Sequence, residues 1–204
     1  MIDVETLEAI EAGMTVPDFS FYKHIPGWFD FQQIYWEAAH QAKEGDVMVE
    51  VGSLFGASIA FLADEIAAKN VEIHAIDTWA PLVSDEPLFN DIVKEAGGRY
   101  EAFEFFMERH GISDRVTVKR KDSVEALAEY DDGSIAFLFL DGAHDYSQVS
   151  AEIKLALKKV HKGGTLAGHD FNYDGVRQAV VEILGNRIEI VRGSRSVPSW
   201  RVVI

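Results

Sequence analysis

The stretch Val47-Met48-Val49-Glu50-Val51-Gly52-Ser53-Leu54-Phe55-Gly56-Ala57-Ser58 passes from strand to helix through a single glycine-bounded turn. Its first five positions form a short, mostly apolar run, the pattern of a buried strand. Beyond the turn, Ile59, Leu62, Ala63 and Ile66 recur at helical spacing. The same alternation continues outward in both directions. Upstream, Phe31, Ile34, Tyr35, Ala38 and Ala42 predict a helix over 30–43 that ends before Gly45. Downstream, Val71–Ile76 reads as a second strand ending at Asp77. A helix through Tyr100, Phe103 and Met107 leads to a third strand, Val116–Lys119. Ile135–Leu140 is an apolar strand ending at Asp141. The next helix buries Val149, Ile153, Leu157 and Val160, and Gly163-Gly164 turns into the strand Thr165–Ala167. Val176, Ala179, Val180, Ile183 and Leu184 mark a further helix, and the β-like runs Arg187–Val191 and Val197–Ile204 follow. Strands apolar on both faces, alternating with helices, predict an α/β fold: a doubly wound, mostly parallel sheet with helices on both sides.

No internal repeat or linker divides the 204 residues, so one domain is expected: an arm and helix (1–44), a core (45–183) and C-terminal strands (184–204). Residues 78–98, with Pro81, Pro87 and Gly97-Gly98, read as a long loop with room for one helical turn, of which 80–98 is expected to act as a lid. Phe19, Phe21, Tyr22, Trp28, Phe29 and Phe31 crowd the arm, either packing on the body or walling a substrate pocket.

Composition limits the function. Hydrophobic residues at 48% and charged ones at 26% describe a globular protein with a core, and a net charge of -15 repels nucleic-acid phosphates and anionic lipid. Neither nucleic acid nor membrane is expected as a partner. The absence of cysteine removes disulfides, thiolate nucleophiles and zinc–thiolate sites. No apolar run approaches the roughly 20 residues of a membrane span, and the acidic start, Met1 to Glu5, is unlike a basic signal sequence. A cytoplasmic setting is the expectation; homo-oligomerisation is left open.

Ligands of open α/β sheets bind at the carboxyl ends of the strands. Those ends are polar here: Glu50 and Gly52, then Asp77, Asp122-Ser123, Asp141 and His169-Asp170. One such aspartate is commonly a helix cap; five positions on one edge describe a ligand crevice. The turn is G-x-x-x-G, lacks the middle glycine of a dinucleotide fingerprint, and is followed by no Lys-Ser/Thr of a phosphate loop. With Glu50 beside it and no basic residue, it suits a positive or zwitterionic ligand. Asp77 stands where an acidic side chain accepts hydrogen bonds from ribose hydroxyls.

Glu50-Val51-Gly52 with the acidic end of the second strand resembles class I S-adenosylmethionine-dependent methyltransferases. The runs Phe139-Leu140-Asp141-Gly142-Ala143-His144-Asp145-Tyr146 and Lys162-Gly163-Gly164 through Gly168-His169-Asp170-Phe171 are similar to one branch, the small-molecule enzymes related to macrocin O-methyltransferase and cephalosporin hydroxylase-like proteins. The resemblance covers about residues 45–183. It implies the strand order 3-2-1-4-5-7-6 with the last strand antiparallel, and S-adenosyl-L-methionine as cofactor. Glu50, Gly52, Ser53, Gly56 and Ser58 would line its methionine part, Asp77 with Thr78 and Trp79 its ribose, and Asp122-Ser123 its adenine, with Asp141 bordering the site.

Asp141, His169 and Asp170 lie at two adjacent strand ends, where the resemblance implies a divalent metal. His169 replaces a carboxylate of several relatives, so Mg²⁺ is joined by Mn²⁺, Fe²⁺ and Zn²⁺ as suited ions. His144 is the candidate general base, with Asp141 beside it as a second catalytic residue. The other histidines, His24, His40, His74, His110 and His161, lie away from this edge. The activity implied is methyl transfer to a hydroxyl of a small-molecule acceptor. Two alternatives stay open: a metal-dependent hydroxylase using His144, His169 and Asp170 as an iron triad, and a non-catalytic adenosylmethionine-binding protein.

Overall fold

A computed structural model describes residues 21–81, 87–193 and 197–204. Strands β1 (Val47–Val51), β2 (Glu72–Asp77), β3 (Val116–Arg120), β4 (Ile135–Leu140), β5 (Val160–Gly168), β6 (Glu189–Arg192) and β7 (Pro198–Val203) form one sheet. Their order is β3-β2-β1-β4-β5-β7-β6. The five strands from β3 to β5 run parallel, and β7 lies antiparallel between β5 and β6. Fold class and strand order are those expected.

The helices are α1 (Gln32–Gln41), α2 (Ala57–Glu65), α3 (Pro87–Ala96), α4 (Arg99–His110), α5 (Ser123–Ala128), α6 (Tyr146–Lys159) and α7 (Asp174–Leu184). The period of two along each strand divides the core into two layers. Met48, Ile73, Ala75, Phe137 and Phe139 face α1, α2 and α4, whereas Val49, Val51, Leu138 and Leu140 face α5, α6 and α7. The first layer is unusually aromatic: Phe31 stacks on Phe139, and Tyr35 meets Phe137 and Phe139 edge-on. Most of the arm from Phe21 to Phe31 is therefore packed on the body, as the blander reading of its aromatics had it.

The structure corrects three local expectations. The segment 78–98 is not one long loop: residues 87–96 form α3, with Pro87 as its first residue, where a missing N–H costs nothing. The remaining part of the expected lid at 82–86, like the arm before Phe21, falls outside the described residues. Residues 123–128, given no element from sequence, are the short helix α5. Gly163-Gly164 lies within β5, where the β4 register slips between Ile135 and Phe137, rather than in a turn before it. Among the described residues, no helix is long and apolar enough to cross a membrane.

Candidate active site

The parallel ladder aligns the polar residues by continuing one bond past each strand. Gly52 N donates to Ile76 O (2.8 Å), Asp141 N to Val51 O (2.8 Å) and His169 N to Leu140 O (3.1 Å). Gly52, Asp77, Asp141 and His169 thus form one row along the carboxyl edge. A cavity of about 770 Å³ opens above it, within the ~300–1,000 Å³ usual for small-molecule sites. Gly52, Ser53, Gly56, Ser58, Asp77, Thr78, Asp122, Ser123, Asp141, His144, His169 and Asp170 all line it. Glu50 and Trp79 do not.

Glu50 follows Met48 on the period of two, so its side chain turns under α1, where Tyr35 donates its hydroxyl to it. Burial pushes its carboxyl up to about 7, opposed by the nearby hydroxyls of Ser58, Tyr35 and Ser53. Glu50 supports the loop from behind. Trp79, 2% exposed, likewise braces the turn: its indole N–H donates to Leu54 O at 2.7 Å.

Gly52 has φ +89°, and a Cβ there would stand 2.2 Å from Asp141 O, so the loop can cross β4 closely only as glycine. Leu54 and Trp79 also adopt left-handed φ values of +46° and +44°. Asp77 holds both, accepting from Leu54 N (3.1 Å) and Trp79 N (2.8 Å). Gly56 precedes α2 with no side-chain cap, which leaves helix N–H groups available to a ligand.

At the far end of the cavity, Asp122 caps α5 through Val124 N and Glu125 N. Gln148 donates to Asp122 Oδ2 (3.0 Å) and to Ser123 Oγ (2.9 Å), and Ser123 donates to Glu152. Burial raises the Glu152 carboxyl to about 7. Gln148 and Glu152 were missed from sequence because they sit on the inner face of α6, where polar residues carry no motif.

At the other end, Asp141, His169 and Asp170 each bring one ligand atom to within 4.8 Å of the others. His169 Nδ1 is 3.5 Å from both Asp141 Oδ1 and Asp170 Oδ1. His144 Nε2 contacts Asp170 Oδ2 at 2.7 Å, and its ring stacks on Tyr173. Burial lifts Asp141 to about 6, although 23% of its side chain faces the cleft; the contact with His169 pulls the other way. The bond to Asp170 raises His144 above the ordinary imidazole value, against burial. Burial would lower His169, but Asp141, Asp170 and Asp30 more than offset it. For Asp170 the order reverses: burial raises it, and the two imidazoles bring it below the usual carboxylate range. Two carboxylates and one imidazole converging from two strand ends are a donor set that fits a divalent ion. His144 turns to Asp170 rather than joining that set, so the iron-triad grouping does not converge.

Asp30 was also missed. It is 3% exposed and places Oδ1 3.2 Å from His169 Nε2. Trp28 and Tyr173, both 46% exposed, flank the mouth, so the arm supplies part of the pocket wall as well.

Residues 49–171 match a family model described as a methyltransferase domain. No curated protein is significantly similar in sequence. Among solved structures, an S-adenosylmethionine-dependent O-methyltransferase from Thermotoga maritima superposes with TM-score 0.63 at 17% identity, over 91% of this chain and 70% of its own. An O-methyltransferase from Bacillus cereus, solved with S-adenosylhomocysteine, gives 0.59 at 18% identity over 100% and 93%. A TDP-rhamnose 3′-O-methyltransferase of calicheamicin biosynthesis gives 0.55 at 14% over 98% and 95%.

Proposed function

The chain belongs to the methyltransferase-domain family and is an S-adenosylmethionine-dependent methyltransferase; from that premise we propose that it methylates a hydroxyl of a small molecule with help from a divalent ion. The observation that carries the reading is the row Gly52, Asp77, Asp141 and His169-Asp170 beneath one cavity, with a donor cluster at one end. The structural neighbours named as O-methyltransferases, one of them for a TDP-sugar, lend the same direction.

When bound, S-adenosylmethionine would supply the methyl group, its methyl carbon–sulfur bond breaking as the carbon–oxygen bond forms, with S-adenosylhomocysteine and the hydroxyl proton released. Asp141, His169 and Asp170 would hold a divalent ion, whose positive charge would lower the cost of the acceptor's developing oxyanion. Asp77 would accept hydrogen bonds from the ribose hydroxyls while keeping the Leu54–Trp79 turn in place. Asp122 and Ser123, oriented by Gln148, would face the adenine. The uncapped start of α2, with Ser53 and Ser58, would meet the methionine moiety.

His144 takes the hydroxyl proton. With Nε2–H donated to Asp170, its basic nitrogen is Nδ1, and Asp170 stabilises the imidazolium that results. Tyr173, stacked on His144, and Trp28 of the arm offer apolar surface to the acceptor, and their exposure leaves room for ligands of varied outline. Positioning supplies most of the rate, because the reacting atoms are brought together in one cleft.

The test is a product assay. Methyl-labelled cofactor and a panel of hydroxylated small molecules should give an O-methyl product whose formation falls in chelator and returns with Mg²⁺ or Mn²⁺. Undiminished turnover in chelator would remove the ion and leave His144 as the group acting on the hydroxyl.

A further inference from the structure

His169 is buried at 6% exposure. Its ring lies 5.0 Å from that of Phe31, tilted by 52°, and Phe31 in turn stacks on Phe139, so packing against Phe31 restricts the imidazole. One ring nitrogen, Nε2, lies on the inner side, 3.2 Å from Asp30 Oδ1, close enough for an ion-pair contact although the two atoms are not aligned as a hydrogen bond. The other, Nδ1, points to the cleft between Asp141 and Asp170. Asp30 is itself held tightly: a Cβ on Gly193 would lie 2.0 Å from its carbonyl oxygen.

A carboxylate behind one imidazole nitrogen keeps the proton there and aims the opposite lone pair outward; metal-binding histidines are commonly held this way. The 3.5 Å separations of Nδ1 from the two cleft carboxylates are too long for strong hydrogen bonds. They suit neighbouring donors that share one ion at ~2.1 Å each. We propose that Asp30 is a positioning residue that holds the Nε2 proton of His169, so that Nδ1 serves as a nitrogen ligand and the site prefers first-row transition ions to Mg²⁺. The preference follows because Mg²⁺ favours oxygen donors, whereas an imidazole strengthens binding in the order Mn²⁺ to Co²⁺. This inference rests on the divalent-ion reading above and extends it to a residue outside the three ligands.

The experiment uses the full chain with Mg²⁺, Mn²⁺ and Co²⁺ as probes in titration calorimetry, alongside pulsed EPR of the Mn²⁺-loaded protein. Wild type should bind Co²⁺ and Mn²⁺ more tightly than Mg²⁺ and show ¹⁴N coupling from a coordinated imidazole. Asp30→Asn should lose about 10–100-fold in Mn²⁺ affinity, with a smaller loss for Mg²⁺. His169→Gln should abolish the ¹⁴N coupling. Because the wild-type spectrum needs no substitution, misfolding of a variant leaves the ligand assignment testable. Mn²⁺ bound without nitrogen coupling, or Asp30→Asn binding as wild type with coupling intact, overturns the inference and leaves an ion site of carboxylates. No binding of any ion by wild type overturns the divalent-ion reading itself.

Discussion

Replacing Asp77 separates its two roles. Its carboxylate accepts from Leu54 N and Trp79 N, and both of those residues have left-handed backbones that cost roughly 1–2 kcal/mol each without support. Hydrogen bonds to a charged acceptor contribute about 1.5–3 kcal/mol apiece. Asp77 is partly open to water, so the lower figure applies, and Asp77→Ala should cost about 3 kcal/mol of stability. In a chain of this length that corresponds to a Tm lower by about 6–12 °C. Asp77→Asn keeps one acceptor oxygen and should lose about half as much. S-adenosylhomocysteine affinity should fall separately, by about 10–150-fold in Asp77→Ala, because the ribose hydroxyls lose a charged acceptor. Differential scanning calorimetry and ligand titration on the same samples read the two effects apart. A Tm within about 2 °C of wild type would refute the turn-holding role at this magnitude. A lowered Tm with unchanged affinity would refute the ribose assignment instead.

Three further outcomes follow from the same geometry. Gly52→Ala forces a Cβ to 2.2 Å from Asp141 O at φ +89°, and should abolish cofactor binding while lowering the chemical-denaturation midpoint; near-normal binding would mean the loop can move away from β4. Turnover should rise with pH as His144 loses its proton, with a midpoint above the ordinary value of about 6.5. Asp170→Asn, assayed in excess metal, should shift that midpoint down, since Asp170 is the main cause of the raised value; an unshifted limb would exclude His144 as the base. Glu152 has a folded pKa of about 7 against 4.5 unfolded, so the fold holds its proton more tightly. Its contribution is complete below the unfolded value and is lost as pH rises through about 7. Glu152→Gln should therefore flatten stability between pH 5 and 7 and gain on the order of 1–3 kcal/mol over wild type at pH 8; a parallel pH profile in denaturant titrations would contradict this.

The strands were legible because each is a short apolar run ended by a polar residue, and that ending also marked the cleft. Asp77, Asp141, His169 and Asp170, which line the cavity, stand out in the sequence for this reason. Glu50 was read as a cleft residue on the same pattern. The period of two places it on the face beneath Tyr35, a partner that only the packing of α1 reveals. The helix α3 was hidden because Pro87 looked like a breaker, although proline is well tolerated at a first helical position. The helix α5 had a readable start in Asp122 with Glu125 three residues on, but only six residues to carry a period. Asp30 could not be singled out: one acid between Phe29 and Phe31 looks like a solvent-facing position until the arm folds over His169. Gln148 and Glu152 share that difficulty, being polar residues on a buried helix face.

The most direct test of the account is a crystal structure of the chain grown with S-adenosylhomocysteine and Mn²⁺. The expected result is the nucleoside over Gly52 with its ribose hydroxyls on Asp77, its adenine beside Asp122 and Ser123, and one ion between Asp141, His169 and Asp170. Nucleoside density elsewhere on the molecule, or a strand-end cleft left empty at saturating ligand, would contradict it.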